Sequence, residues 1–111
     1  MPFDEIINKQ IQGKYLLIGI SYIDAEGKLE SQQQLHGTVE RSSRDEGIIV
    51  QLKGFFKGEK VQLPPDTSSI KPAEPGIYKL ITTNEDVKNP DFVCAFEVHK
   101  GELPEKNPIS S

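Results

Sequence analysis

Apolar residues recur with two different periods along this chain, helical at its start and alternating afterwards. Phe3, Ile7 and Ile11 stand at i, i+4 and i+8 with Ile6 beside them, Asp4 and Glu5 lead, and Gly13 stops the run, a pattern that predicts a short amphipathic helix over 3–12. A helix this short needs a surface to dock on. From Lys14 onward the apolar period becomes two, and Gly, Pro, Asn and Asp clusters punctuate it.

The first strand is Tyr15 to Ile23, apolar on its even face (Leu16, Ile18, Ile20, Tyr22) and mixed on its odd face, which suits a central strand covered on both sides. Asp24-Ala25-Glu26-Gly27 reads as a turn closing on a left-handed glycine, and Leu29 to Glu40 returns with Leu29, Leu35 and Val39 inward. Its even residues Glu30, Gln32, Gln34, His36, Thr38 and Glu40 read as solvent-facing. Ile48, Val50 and Leu52 mark a third strand that turns at Lys57-Gly58 into Lys60 to Leu63. Residues 64–76 hold four prolines without an apolar period and read as an extended surface loop. Pro75-Gly76 opens a fifth strand, Ile77 to Thr82, and Asn89-Pro90-Asp91 a sixth, Phe92 to His99.

Six short strands at this spacing predict a mainly β protein, a small antiparallel β-barrel or roll of SH3-like or OB-like type with a short N-terminal α-helix; a two-sheet sandwich is the alternative. Residues 1–13 form the helix packing on the barrel, 14–100 the barrel domain, and 101–111, polar with two prolines, a flexible tail.

The chain has 111 residues and a formal charge of −4, spread evenly along its length, which fits one domain and one core. Basic residues are scattered singly and outnumbered, so nucleic acid is not an expected partner. The one long uncharged apolar run, Tyr15 to Ile23, is about half of what a membrane-spanning helix requires. Asp4 and Glu5 before it and Asp24 and Glu26 after it do not fit a signal peptide. Cys94 is the single cysteine, so no intrachain disulfide or CxxC motif can form, and a reducing cytoplasm is expected.

Catalytic signals are weak. Cys94 and His99 are five apart on one strand and so fall on opposite faces, which prevents a local thiolate–imidazole pair. Cys94 reads as a small buried core residue. His36 and His99 both read as exposed; if the second and sixth strands flank the first, they stand about 9–10 Å apart, too far for one zinc, so no metal or cofactor is expected. Most acidic residues fall in turns, none on an inward strand position, and GxSxG, Walker A, GxGxxG and HExxH patterns do not occur.

His36-Gly37, Leu63-Pro64-Pro65-Asp66, Pro75-Gly76 with Tyr78, and Asn89-Pro90-Asp91-Phe92 together resemble a family of short bacterial β-rich proteins to which no activity is assigned. The resemblance spans residues 14–99 and rests on turn chemistry, so it implies a compact β domain and carries no functional residues.

Two features remain. An outward apolar set, Ile49, Phe55, Ile77, Ile81 and Val93, is either an interface or the surface beneath the N-terminal helix; the second is the expectation. The proline-rich loop, with Pro65 and Asp66, and the nearby candidates His36 and Asp91 could border a ligand site at the barrel mouth. The leading expectation is a non-catalytic cytoplasmic module that works through protein contacts or self-association. The alternatives are a small-molecule-binding or catalytic domain with its pocket at the barrel mouth, and an immunity-type neutralising partner. An exposed His36 further predicts that its replacement by Ala costs almost nothing.

Overall fold

The helix forms as α1 (Glu5–Ile11) in the computed structural model, which describes residues 2–99. Asp4 caps it, its Oδ1 accepting from the Ile6 amide at 2.8 Å, while the Asp4 amide donates to Thr67 Oγ1 at 2.9 Å. The cap therefore ties the helix to a segment 63 residues away. Ile11 is fully buried in the core and Ile7 packs against it. The flexible tail expected over 101–111 lies outside the described residues.

Among the described residues eight strands follow: β1 (Tyr15–Ile23), β2 (Leu29–Ser43), β3 (Gly47–Leu52), β4 (Lys60–Leu63), β5 (Lys71–Pro72), β6 (Ile77–Lys79), β7 (Asp86–Lys88) and β8 (Phe92–His99). Six build one sheet in the order β4-β3-β2-β1-β8-β5, and β6 and β7 form a separate ribbon. The protein is thus mainly β with one short helix. β1 is central, as its two-sided apolar pattern predicts. Among the described residues the sheet ends at β4 and β5 without a ladder joining them, so hydrogen bonds do not close it.

Antiparallel pairing holds throughout except between β1 and β8, which run parallel from Leu16↔Phe92 to Ile23↔His99. Parallel neighbours need a long crossover. Here everything between β1 and β8 supplies it, and the chain re-enters where β1 begins: the Asp91 amide donates to the Tyr15 carbonyl at 2.9 Å.

The core lies on the even face of β1. Leu16, Ile18 and Ile20 pack with Leu35, Val39, Ile48, Val50, Leu63 and Val98, all buried. Leu29, expected inward, is 57% exposed. Pairing runs Tyr22↔Ser31 and then Ile23↔Leu29, so a bulge at Glu30 flips the parity of β2 and turns Leu29 to the other face. A second irregularity between Val39 and Arg41 changes the register against β3.

Residues 64–76 are more than a surface loop. Thr67 and Ile70 are buried, and Lys71 and Pro72 pair with Val93 and Phe92. The segment carries no apolar period because only single residues of it reach inward. The fifth strand is also shorter than expected. It stops at Lys79, turns through 80–85, and returns as β7, a strand that no alternation announced.

Candidate functional site

Ladder pairing places Leu17 opposite His36 and Tyr15 opposite Thr38, so Tyr15 and His36 are diagonal neighbours on the outer face of β1 and β2. The Tyr15 hydroxyl is 2.6 Å from His36 Nδ1. On the other side of the ring, His36 Nε2 is 3.1 Å from Glu85 Oε2. Glu85 also accepts from the Phe55 amide at 3.0 Å and from the Thr83 hydroxyl at 2.7 Å. A hydrogen-bonded chain, Tyr15–His36–Glu85, thus joins the central sheet to the Gly54–Phe56 turn and the 80–85 turn.

The direction of the chain follows from its donors. Burial pulls the Glu85 carboxyl up, but the Thr83 hydroxyl, the His36 ring and the Phe55 amide outweigh it and hold the group below the usual glutamate range. An ionised Glu85 only accepts, so His36 Nε2 carries a proton and donates to it. With a neutral ring, Nδ1 then accepts from the Tyr15 O–H. Burial and the nearby Glu85 charge both push the Tyr15 hydroxyl up, so Tyr15 keeps its proton.

Gly54 closes the site. Its φ is +67°, and a Cβ there would lie 1.9 Å from Glu85 Oε2 and 2.7 Å from His36 Nε2. Only glycine meets both demands. The Lys53 amide donates to the His36 carbonyl at 2.9 Å, so the turn is held at its start as well. Two residues back on β2, Gln34 Oε1 accepts from the Ile81 amide at 2.7 Å and the Thr82 amide at 3.2 Å. Two side chains on the same face of one strand, Gln34 and His36, therefore both hold the 80–85 turn, and Glu85 ties the Gly54–Phe56 turn to it.

This corrects the exposed reading of His36, which retains 8% of its accessible surface. Its outward parity is right, but the 54–56 and 80–85 turns cover that part of the outer face. His36 and His99 are also farther apart than strand order alone implied. They lie beside Leu17 and Ile23 of β1, and six residues along a strand add about 20 Å. Asp91 does approach this region, its Oδ2 accepting from the Tyr15 amide at 2.8 Å. It acts there on the backbone, at the entry to β8. Pro65 and Asp66 do not join the site. They follow β4, whose Leu63 pairs with Ile48, at the opposite end of β3 from Leu52 and its partner Gly37. Asp66 instead accepts from the Ser68 amide at 2.9 Å.

The outward apolar set divides. Ile49 is buried within the sheet, and Val93 is half-buried where β5 pairs with it. Phe55, Ile77 and Ile81 are 72%, 64% and 89% exposed. The expectation that α1 covers this set is overturned for these three: the helix buries Ile11 in the core, and Gln12 bonds Ser42 at the far end of β2.

A cleft of about 250 Å³ lies beside Ile81, floored by Gly19 and Ala95 and bordered by Ser21, Gln32, Gln34 and Thr82. Neither Tyr15, His36 nor Glu85 lines it. Among the described residues no three His, Cys, Asp or Glu side chains gather in a way that could hold a metal ion. No helix there is long and apolar enough to cross a membrane. Cys94 is buried and its thiol is pushed up to about 12 by that burial, which leaves it a poor nucleophile.

Tyr15, Gly54, Thr83 and Glu85 escaped sequence reasoning. The Asp24–Gly27 turn does define a hairpin in which Tyr15 falls near His36, so half of the chain of bonds has a signal. Glu85 has none, since nothing within its own turn points 49 residues back to His36. Comparison with family models, with curated proteins and with solved structures returned no match.

Proposed function

We propose that this chain is a non-catalytic recognition module that binds another protein through Phe55, Ile77 and Ile81. The observation that carries the reading is that these three large apolar side chains stay in water while the backbone beneath two of them is pinned. The Phe55 amide is bound by Glu85 and the Ile81 amide by Gln34. Apolar residues held in place before binding lose less entropy on association than residues on a free loop. An SH3-like or OB-like roll fits this role, with strands as scaffold and connecting turns as contact surface. The lone Cys94 accords with a cytoplasmic setting.

The test is selection of binders from a random dodecapeptide library against the immobilised protein. Binders should lose at least tenfold in affinity against Phe55→Ser or Ile81→Ser. Binders that are indifferent to both variants would overturn the reading.

A second reading, an acid–base site with Tyr15 as its outer member, draws on the Glu85–His36–Tyr15 chain of bonds. Against it, Gly54 packs directly on His36 and Glu85 and covers the inner end of the chain of bonds. Diethyl pyrocarbonate decides between them: modification of His36 in the folded protein would favour the acid–base reading, and modification confined to His99 the recognition module.

A further inference from the structure

We infer that the partner recognised through Phe55, Ile77 and Ile81 is an acidic protein surface, in which carboxylates surround an apolar socket. The inference rests on the recognition reading above and adds the chemistry of the partner.

Lysines accompany two of the three exposed apolar positions, Phe55 and Ile77. Phe55 stands between Lys53 and Lys57, two residues away on either side, and all three are exposed. In the β6–β7 ribbon Ile77 pairs directly with Lys88 and precedes Lys79 by two, so Ile77, Lys79 and Lys88 share one face. The other face carries Val87, which is buried, and Tyr78, which is half-buried. The lysine face is therefore the one turned to solvent.

Two of the nearby acids are already engaged. Glu85 is held by His36, Thr83 and the Phe55 amide, and Asp86 lies 3.8 Å from Lys79. Among the described residues Lys53, Lys57 and Lys88 have no carboxylate within 4.0 Å. In a chain of net charge −4, Phe55 and Ile77 are thus bordered by unpaired positive charge. Charge at the rim of an interface selects a partner of opposite sign and speeds encounter. The same rim opposes a symmetric pairing of two copies through this surface, because an isologous contact would set lysines against lysines.

The experiment reads the charge of the dodecapeptides selected above and then measures affinities with synthetic peptides. Binders that depend on Phe55 or Ile81 should be rich in Asp and Glu around one or two large apolar residues. Exchanging those acids for Asn and Gln should weaken binding at least tenfold at 50 mM salt, and the difference should shrink at 500 mM. The variant Lys53→Glu/Lys57→Glu/Lys88→Glu should abolish the preference while keeping affinity for the neutral peptide; an unchanged urea midpoint shows that it folds. Binders that map to Phe55 or Ile81 but are neutral or basic would overturn the acidic partner and leave the recognition reading standing. Binders that map elsewhere would overturn both. A dimer in light scattering that Phe55→Ser dissociates would replace the acidic partner by a second copy.

Discussion

His36 Nε2 and Glu85 Oε2 lie 3.1 Å apart although 49 residues separate them, and this bond joins the central strands to both turns that carry exposed apolar side chains. Among the described residues His36 is one of two buried polar side chains, and its partner keeps 22% of its side-chain surface. The pair is therefore neither a solvent-screened surface ion pair nor a fully dry one. Its strength comes from completeness: both ring nitrogens and the carboxylate oxygen facing the ring have partners.

Replacing His36 by Ala should accordingly cost about 2–3 kcal/mol, where an exposed histidine would cost almost none. The change strands the Tyr15 hydroxyl and removes a donor from a partly buried carboxylate. Urea unfolding of the two proteins measures it. A loss below about 0.5 kcal/mol would show that the chain of bonds contributes nothing to stability.

Gly54→Ala should be more damaging than Gly58→Ala. Both glycines have positive φ, +67° and +98°, but only at Gly54 would the new methyl meet His36 and Glu85. Strain alone should cost about 1 kcal/mol at Gly58, and strain plus displacement of the pair about 2–4 kcal/mol at Gly54. Equal losses would mean that the close packing of Gly54 on the pair is not maintained in solution.

Glu85 should also shape the acid limb of stability. Its folded carboxyl sits below the ordinary glutamate range, so between the folded and unfolded values the unfolded chain binds more protons and stability rises with pH. The contribution is complete above the unfolded value of about 4.3 and is lost as pH falls through the lower folded one. Glu40 and Glu46 are also shifted down by their bonds to Lys60 and Arg41, so the wild-type slope is shared. Glu85→Gln isolates its part: urea midpoints from pH 3 to 7 should fall less steeply with acid than those of wild type. Parallel curves would contradict the assignment of an ionised Glu85.

Cys94 should resist a thiol reagent such as dithionitrobenzoate at pH 8 in the native protein and react fully in denaturant. Burial has pushed its thiol up to about 12, and the thiolate is the reactive form. Rapid native labelling would mean that β8 opens locally.

Alternation alone located β1, β3, β4 and β8 and most of the core, because each buries a face and period two is a local property of the chain. The β2 pattern gave the wrong face at Leu29, where the bulge at Glu30 shifts parity, and it stopped at Glu40 although the strand runs to Ser43. Phe55, Ile77 and Ile81 were likewise legible as outward residues. Sequence could not show what covers them, since coverage depends on where α1 docks. The tertiary structure alone decided the parallel pairing of β1 with β8, the insertion of Thr67 and Ile70, and the burial of His36. Each depends on a segment brought back from far along the chain, and no local period records such a return. The residues therefore determined which positions prefer water and which avoid it, while long-range chain closure determined that His36, outward by parity, would meet Glu85.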